Sequence, residues 1–139
     1  MKEFDPNCIF CKIVDGVIPS SKIYEDDEVV AFLDNAPLTY GHALVVPKRH
    51  FDSYLSTPKS IMNQVMNVAQ RIGQIDMEIL GAKGVNIIIN CYPAAGQAIP
   101  HFHVHVIPRY DASDGLRIEN KPMKDVNLPS IVEKFKGKI

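Results

Sequence analysis

The stretch His101-Phe102-His103-Val104-His105-Val106-Ile107-Pro108 places an imidazole at every second position. On an extended chain alternate side chains share a face, so His101, His103 and His105 point one way. Phe102, Val104 and Val106 point the other way, where an apolar face belongs against a core. Histidine is polar at both ring nitrogens and needs partners when buried, which makes three in a row poor packing material. One metal ion does not explain them. Alternate residues on a strand lie about 6.6 Å apart and the outer pair about 13 Å, whereas a Zn–N bond is about 2.1 Å long. Neighbours such as His101 and His103 could share a zinc, but all three could not without bending the strand. The histidines therefore divide their labour. A neutral imidazole is a good nucleophile near pH 7, because its ordinary pKa is about 6.5. One ring nitrogen attacks while the other keeps its proton in a hydrogen bond. The flanking histidines can fix that tautomer and donate to phosphate oxygens, which is a workable phosphoryl- or nucleotidyl-transfer site.

Short apolar runs separated by turn formers must hold these side chains. Ile9-Phe10 to Ile13-Val14 is a short apolar piece closed by Asp15-Gly16 and stopped by Pro19. Lys22-Ile23-Tyr24 and Val29-Val30-Ala31-Phe32-Leu33 read as strands joined by the acidic loop 25–28. After the turn-rich segment 34–41, His42-Ala43-Leu44-Val45-Val46 is a third strand ending at Pro47. Ile61, Val65, Val68, Ile72, Ile75 and Ile79 recur at three- and four-residue steps. They predict a helix with Thr57 as N-cap, Pro58 at its first position, and Gly81 or Gly84 beyond its end. Strands over 85–90 and 102–107 follow, joined by the loop CYPAAGQAIP, and a short helix is expected over 128–135. Consecutive strands with short connections and one long helix predict an α+β fold with a mainly antiparallel sheet.

At 139 residues, 46% hydrophobic and 22% charged, the chain has the size and composition of one globular domain with one core. A net charge of −1 supplies no global basic field to attract nucleic acid, so a small anion has to be held by local donors. No run of about 18 apolar residues occurs, so no membrane span is expected. MKEFDPNCIF carries charges and a proline where a signal peptide needs an apolar block, and the expectation is a cytoplasmic protein. Three cysteines in that compartment do not form a disulfide framework.

HFHVHVI fits the His-φ-His-φ-His-φ-φ signature, with φ apolar, and the chain resembles the histidine-triad (HIT) family of nucleotide hydrolases and transferases. GHALVVPKRH resembles that family's upstream strand and AFLDNAP its ribose-side segment. Asn90 followed by Ala95-Gly96-Gln97 resembles its Asn and Gly-Gln loop, and CIFCKIV is similar to bacterial members. The likeness runs from about residue 8 to about residue 109. It implies a HIT-like fold over 1–139, with a five-stranded antiparallel sheet, one long helix and a short C-terminal helix; residues 110–139 are an extension. It also implies a homodimer and a purine nucleotide substrate, with no organic cofactor.

By the same resemblance His103 is the nucleophile, His105 hydrogen-bonds phosphate beside it, and His42 completes the group. Asn90 and the backbone around Gly96, Gln97 and Ala98 hold the α-phosphate. Asp34 accepts from the ribose hydroxyls, and Ile9, Phe10, Phe32 and Leu33 line a slot for the base. A carboxylate suits a diol, and a glycine lets the backbone approach phosphate closely. The implied reaction is attack at the α-phosphorus of a nucleoside phosphoramidate or a dinucleoside polyphosphate, then release of the monophosphate by water. One departure is visible. Several family members carry Ser or Thr where this chain has Ala98, which cannot donate to a leaving group. A nucleotide-binding or scaffold protein with vestigial catalysis is therefore the alternative reading.

Cys8-Ile9-Phe10-Cys11 is a C-x-x-C pair, which alone can be redox-active, metal-binding or incidental. Zinc would need two further ligands, and His50 and His101 are available. If the strands leading to His50 and away from His101 are antiparallel neighbours, both residues sit at one edge of the sheet. Some bacterial HIT proteins look the same at these positions and carry zinc, so the resemblance implies a structural Cys₂His₂ site. The competing readings are two reduced cysteines beside an exposed His50, or a hydrolase whose histidines ligate a catalytic zinc.

Overall fold

The structure is a computed structural model that describes residues 4–139. Five strands form one sheet in the order β1-β2-β3-β5-β4, antiparallel throughout. They are β1 (Lys22–Glu25), β2 (Val29–Leu33), β3 (Ala43–Pro47), β4 (Gly84–Ile88) and β5 (Val104–Arg109). The helices are α1 (Ile9–Val14), α2 (Lys59–Glu78) and α3 (Leu128–Phe135). Among the described residues no helix is long and apolar enough to cross a membrane.

The two central strands are apolar at nearly every position because both faces of the sheet are covered. Val29, Ala31, Ala43, Val45, Val104 and Val106 face α2, which presents Ile61, Val65, Ala69 and Ile72. Val30, Phe32, Leu44 and Val46 face the other way, onto Phe10, Cys11 and Ile13 of α1. Phe102 belongs to the α2 side and is 1% exposed. Burial of such a side chain contributes roughly 2–3 kcal/mol. The alternation expected around the histidines is thus kept, although β5 begins at Val104 rather than Phe102.

Several boundaries differ from the sequence reading. Thr57 does not cap α2: its hydroxyl donates to the Ser53 carbonyl at 2.7 Å and closes the preceding 3-10 turn at Tyr54–Ser56. Pro58 is the N-cap and offers no side-chain acceptor. The apolar stripe of α2 also leaves the core, since Ile75 is 37% and Ile79 74% exposed. Ile75 lines an apolar groove together with Ile23 and Tyr24 of β1. β4 spans Gly84–Ile88, two residues short of Asn90, because its ladder with β5 ends where Ile88 meets His105.

Candidate functional site

A cavity of about 650 Å³ opens on the α1 side of the sheet. Its wall includes Ile9, Phe10, Phe32, Leu33, Asp34, Asn90, Gly96, Ala98, His103 and His105. Every residue expected to touch nucleotide is therefore gathered on one cavity, with the exception of Gln97. β5 presents His105, His103 immediately precedes that strand, the β2 terminus presents Leu33 and Asp34, and α1 closes the apolar side. The rings of Phe10 and His103 meet edge to face, 5.0 Å between centroids at 80°.

Backbone groups set the histidine tautomers. The His101 carbonyl can only accept, so Nδ1–H of His103 donates to it at 2.7 Å and Nε2 keeps a lone pair. The Leu38 amide can only donate, and it reaches Nδ1 of His42 at 3.1 Å. His42 therefore carries its proton on Nε2, which donates to Nδ1 of His105 at 3.0 Å. His105 in turn holds its proton on Nε2. The ring centroids of His103 and His105 lie 5.1 Å apart, so one imidazole lone pair and one imidazole N–H stand side by side. Burial pushes His103 and His42 below the ordinary imidazole pKa, against the pull of Asp34. Burial, reinforced by His103 and His42, takes His105 down to about 4. All three rings are neutral at pH 7, as a nucleophile and a neutral donor must be.

Asp34 spends Oδ1 on the Ala36 amide at 2.8 Å, and its Oδ2 lies 3.6 Å from Nε2 of His42. The loop between β4 and β5 turns on Gly96, whose φ of 95° suits glycine. The N–H groups of Gly96 and Gln97 are spent inside this loop, on the carbonyls of Pro93 at 3.0 Å and Tyr92 at 3.2 Å. The loop turns Asn90, Gly96, Ala98 and Ile99 toward the cavity.

A second cluster lies behind His103. Cys8, Cys11, His50 and His101 are all buried, and their ligand atoms lie within 4.8 Å of one another. Cys8 caps α1, Cys11 sits in its first turn, His50 follows β3, and His101 precedes β5. Nδ1 of His101 is 3.4 Å from Sγ of Cys8, 3.5 Å from Sγ of Cys11 and 3.2 Å from Nδ1 of His50. Tetrahedral donors on zinc stand about 3.4–3.8 Å apart, given bonds of roughly 2.1 Å to nitrogen and 2.3 Å to sulfur. Both outer nitrogens are engaged: Nε2 of His101 donates to the Pro47 carbonyl at 2.8 Å and Nε2 of His50 to Asp52 at 3.1 Å. Both Nδ1 lone pairs therefore converge on one point, an arrangement a cation satisfies. Burial raises the Cys11 thiol to about 11 and lowers His101 to about 4. A dication favours thiolate and neutral imidazole, so the donor set fits a soft divalent metal. His50 is 6% exposed, which removes the reading in which it lies on the surface.

A family model for the HIT domain matches residues 15–112. The chain belongs to the HIT family. An uncharacterised HIT-like protein of Methanocaldococcus jannaschii is 38% identical over 94% of this chain and 99% of its own length. An adenylylsulfatase of Arabidopsis thaliana is 38% identical over 80% of this chain and 59% of its own length. Among solved structures, a HIT family protein of Bacillus anthracis superposes with a TM-score of 0.87 at 37% identity, covering 96% of this chain and 98% of that one. A zinc-bound histidine triad protein of Mycobacterium smegmatis gives 0.75 at 41% identity, with 84% of each chain covered. A histidine triad nucleotide-binding protein of Candida albicans gives 0.83 at 29% identity, covering 95% and 96%.

Sequence reasoning missed Asp52, Arg109 and the tail residues 116–118 in this HIT protein's site. Asp52 orients His50, and a carboxylate two residues after a candidate ligand was the available signal. Leu116, Arg117 and Ile118 of the tail line the cavity, and among the described residues Arg117 is the one lysine or arginine on its wall. The tail is pinned by Arg109, which donates to Asn86, Asp114 and the Leu116 carbonyl. These contacts join segments that share no local pattern.

Proposed function

We propose that this HIT protein hydrolyses nucleoside phosphate derivatives at the α-phosphorus through a nucleotidyl group carried on Nε2 of His103. The observation that carries this reading is the set of fixed tautomers, with a lone pair on His103 beside an N–H on His105 in the same cavity. The purine base takes the slot formed by Ile9, Phe10, Phe32 and Leu33, and the ribose hydroxyls donate to Asp34. Asn90, the Ala98 backbone and Nε2–H of His105 hold the phosphate oxygens. The His103–phosphorus bond forms as the bond to the amine, phosphate or nucleotide leaving group breaks. Positive charge on the substituted imidazole is eased by its Nδ1–H bond to the His101 carbonyl. Water then displaces His103 and releases the monophosphate, so one hard displacement becomes two easier ones. The nucleotide-binding and adenylylsulfatase descriptions of the Candida and Arabidopsis proteins support the substrate class.

Cys8, Cys11, His50 and His101 would hold zinc as a structural ion, a reading supported by the zinc-bound Mycobacterium protein. Bound there, zinc would tie α1 to the sheet behind His103. A homodimer belongs to the same reading. The apolar groove between β1 and α2, which includes Ile23, Tyr24, Tyr40 and Ile75, is a face such a partner would cover.

The test is hydrolysis of adenosine 5′-phosphoramidate by wild type and His103→Ala, with mass spectrometry for a nucleotidyl adduct. Turnover by wild type, lost by at least about a thousandfold in the folded variant, with an adduct on His103, is the expected result. Ala98 favours a second reading, a nucleotide-binding protein without turnover. Binding of AMP with no hydrolysis of a phosphoramidate or a dinucleoside polyphosphate would establish that reading instead.

A further inference from the structure

We propose that Gln97 is a positioning residue whose carboxamide locks the nucleotide loop to the two segments that carry His50 and His101, so that the Cys₂His₂ cluster and the loop move as one unit. The inference rests on the nucleotide site proposed above.

The Gln97 side chain does not line the cavity; it is 7% exposed and fully occupied by backbone. Its Nε2 donates to the Asp52 carbonyl at 2.6 Å and the Ile99 carbonyl at 3.0 Å, and its Oε1 accepts the Tyr92 amide at 2.7 Å. Each partner has a second engagement on the cluster side or the loop side. Asp52 accepts Nε2–H of His50 through its carboxylate. The Ile99 carbonyl also accepts the His101 amide at 2.8 Å. Tyr92 sits at φ 70°, a left-handed conformation that a tyrosine rarely adopts and that surrounding bonds must enforce. Its carbonyl accepts the amides of Ala95 and Gln97, which sets the turn carrying Gly96.

Only a carboxamide serves here. The site needs one acceptor for an amide N–H and two N–H donors for two carbonyls. Glutamate would set an oxygen against both carbonyls, and an apolar side chain would leave the Tyr92 amide and the Asp52 carbonyl without their partner. The cluster reaches the nucleotide site by a second route as well, because His101 supplies the carbonyl that fixes the His103 tautomer. Nucleophile and phosphate loop thus rest on the same two segments. Coupling between metal and nucleotide must be reciprocal, so each tightens the other.

The experiment follows the Tyr92 amide by hydrogen exchange in zinc-loaded wild type, in wild type stripped with a chelator, and in zinc-loaded Gln97→Met and Gln97→Glu. AMP affinity is measured on each form. Gln97→Met is expected to retain its zinc and its circular dichroism spectrum, to exchange the Tyr92 amide at least tenfold faster, and to bind AMP about tenfold more weakly. Zinc removal from wild type is expected to reproduce both changes. Gln97→Glu, ionised at neutral pH, should weaken AMP binding by a similar factor, because a carboxylate cannot donate to the Asp52 or Ile99 carbonyl. Should Gln97→Met fail to fold, the Glu variant and the stripped wild type decide the question. Unchanged Tyr92 protection and AMP affinity in the folded variants, or zinc removal that loosens α1 alone, overturns the proposal. If zinc-loaded wild type binds no AMP, the nucleotide reading fails, and the exchange measurement still decides whether Gln97 joins the loop to the cluster.

Discussion

His105 should make this protein acid-sensitive in a way that one substitution removes. Burial, with His103 and His42 adding to it, holds the folded His105 at about 4. In the unfolded chain an imidazole titrates near 6.5. Between those values the unfolded state binds the extra proton, so the stability contributed by His105 is complete above about pH 6.5 and is lost as pH falls toward 4. One pKa unit corresponds to about 1.4 kcal/mol, and the loss between pH 7 and pH 5 comes to about 2 kcal/mol. His105→Asn is the informative variant. It is not titratable, and its amide oxygen can still accept Nε2–H of His42. Urea unfolding of the zinc-loaded protein at both pH values measures the two losses. Wild type should lose about 2 kcal/mol more than His105→Asn, a difference of roughly 1 M in urea midpoint. Titration at the cysteines and at His50 and His101 is common to both proteins and cancels. Equal losses in the two proteins would refute the buried, neutral His105 and with it the tautomer relay.

Chelation should act on stability before it acts on chemistry. Removing zinc from the Cys₂His₂ cluster should lower Tm by on the order of 10 °C in a thermal scan, whereas a Cys8→Ser, Cys11→Ser double variant should show no response to chelator. Arg117 lines the cavity and brings a fixed positive charge to it, so Arg117→Ala should lower kcat/KM for a dinucleoside polyphosphate about tenfold more than for a phosphoramidate, as steady-state kinetics on the two substrates would show. Gly115 donates to the Leu38 carbonyl, and a Cβ there would collide with that same oxygen. Gly115→Ala should therefore displace the tail and raise the exchange rates of the 115–118 amides, with Tm lower by only a few degrees. Because burial holds His103 below the ordinary imidazole value, the acid limb of kcat/KM should fall below pH 6.5 in a pH–rate profile.

The sequence determined the sheet, the long helix and the face on which the histidines lie. Period-2 alternation in Phe102 to Ile107, and period-3.6 recurrence from Ile61 to Ile72, are local consequences of backbone geometry and can be read along the chain. It also pointed to a candidate chemistry, through the spacing of His101, His103 and His105 directly and through Asp34 and Asn90 by resemblance to the HIT family. Ends of elements were less legible: Thr57 before Pro58 has the residue types of an N-cap and a first helical position, and only the Ser53 carbonyl decided which bond Thr57 would make. The tertiary structure alone decided the tautomers. Those depend on a Leu38 amide, a His101 carbonyl and a Pro47 carbonyl brought within about 3 Å of ring nitrogens that lie up to 54 residues away. It alone placed Asp52, Gln97 and Arg117, whose roles come from what stands beside them rather than from their neighbours in sequence. Hydrogen-bond direction and burial are properties of packed neighbours, and a chain discloses its neighbours only once it has folded.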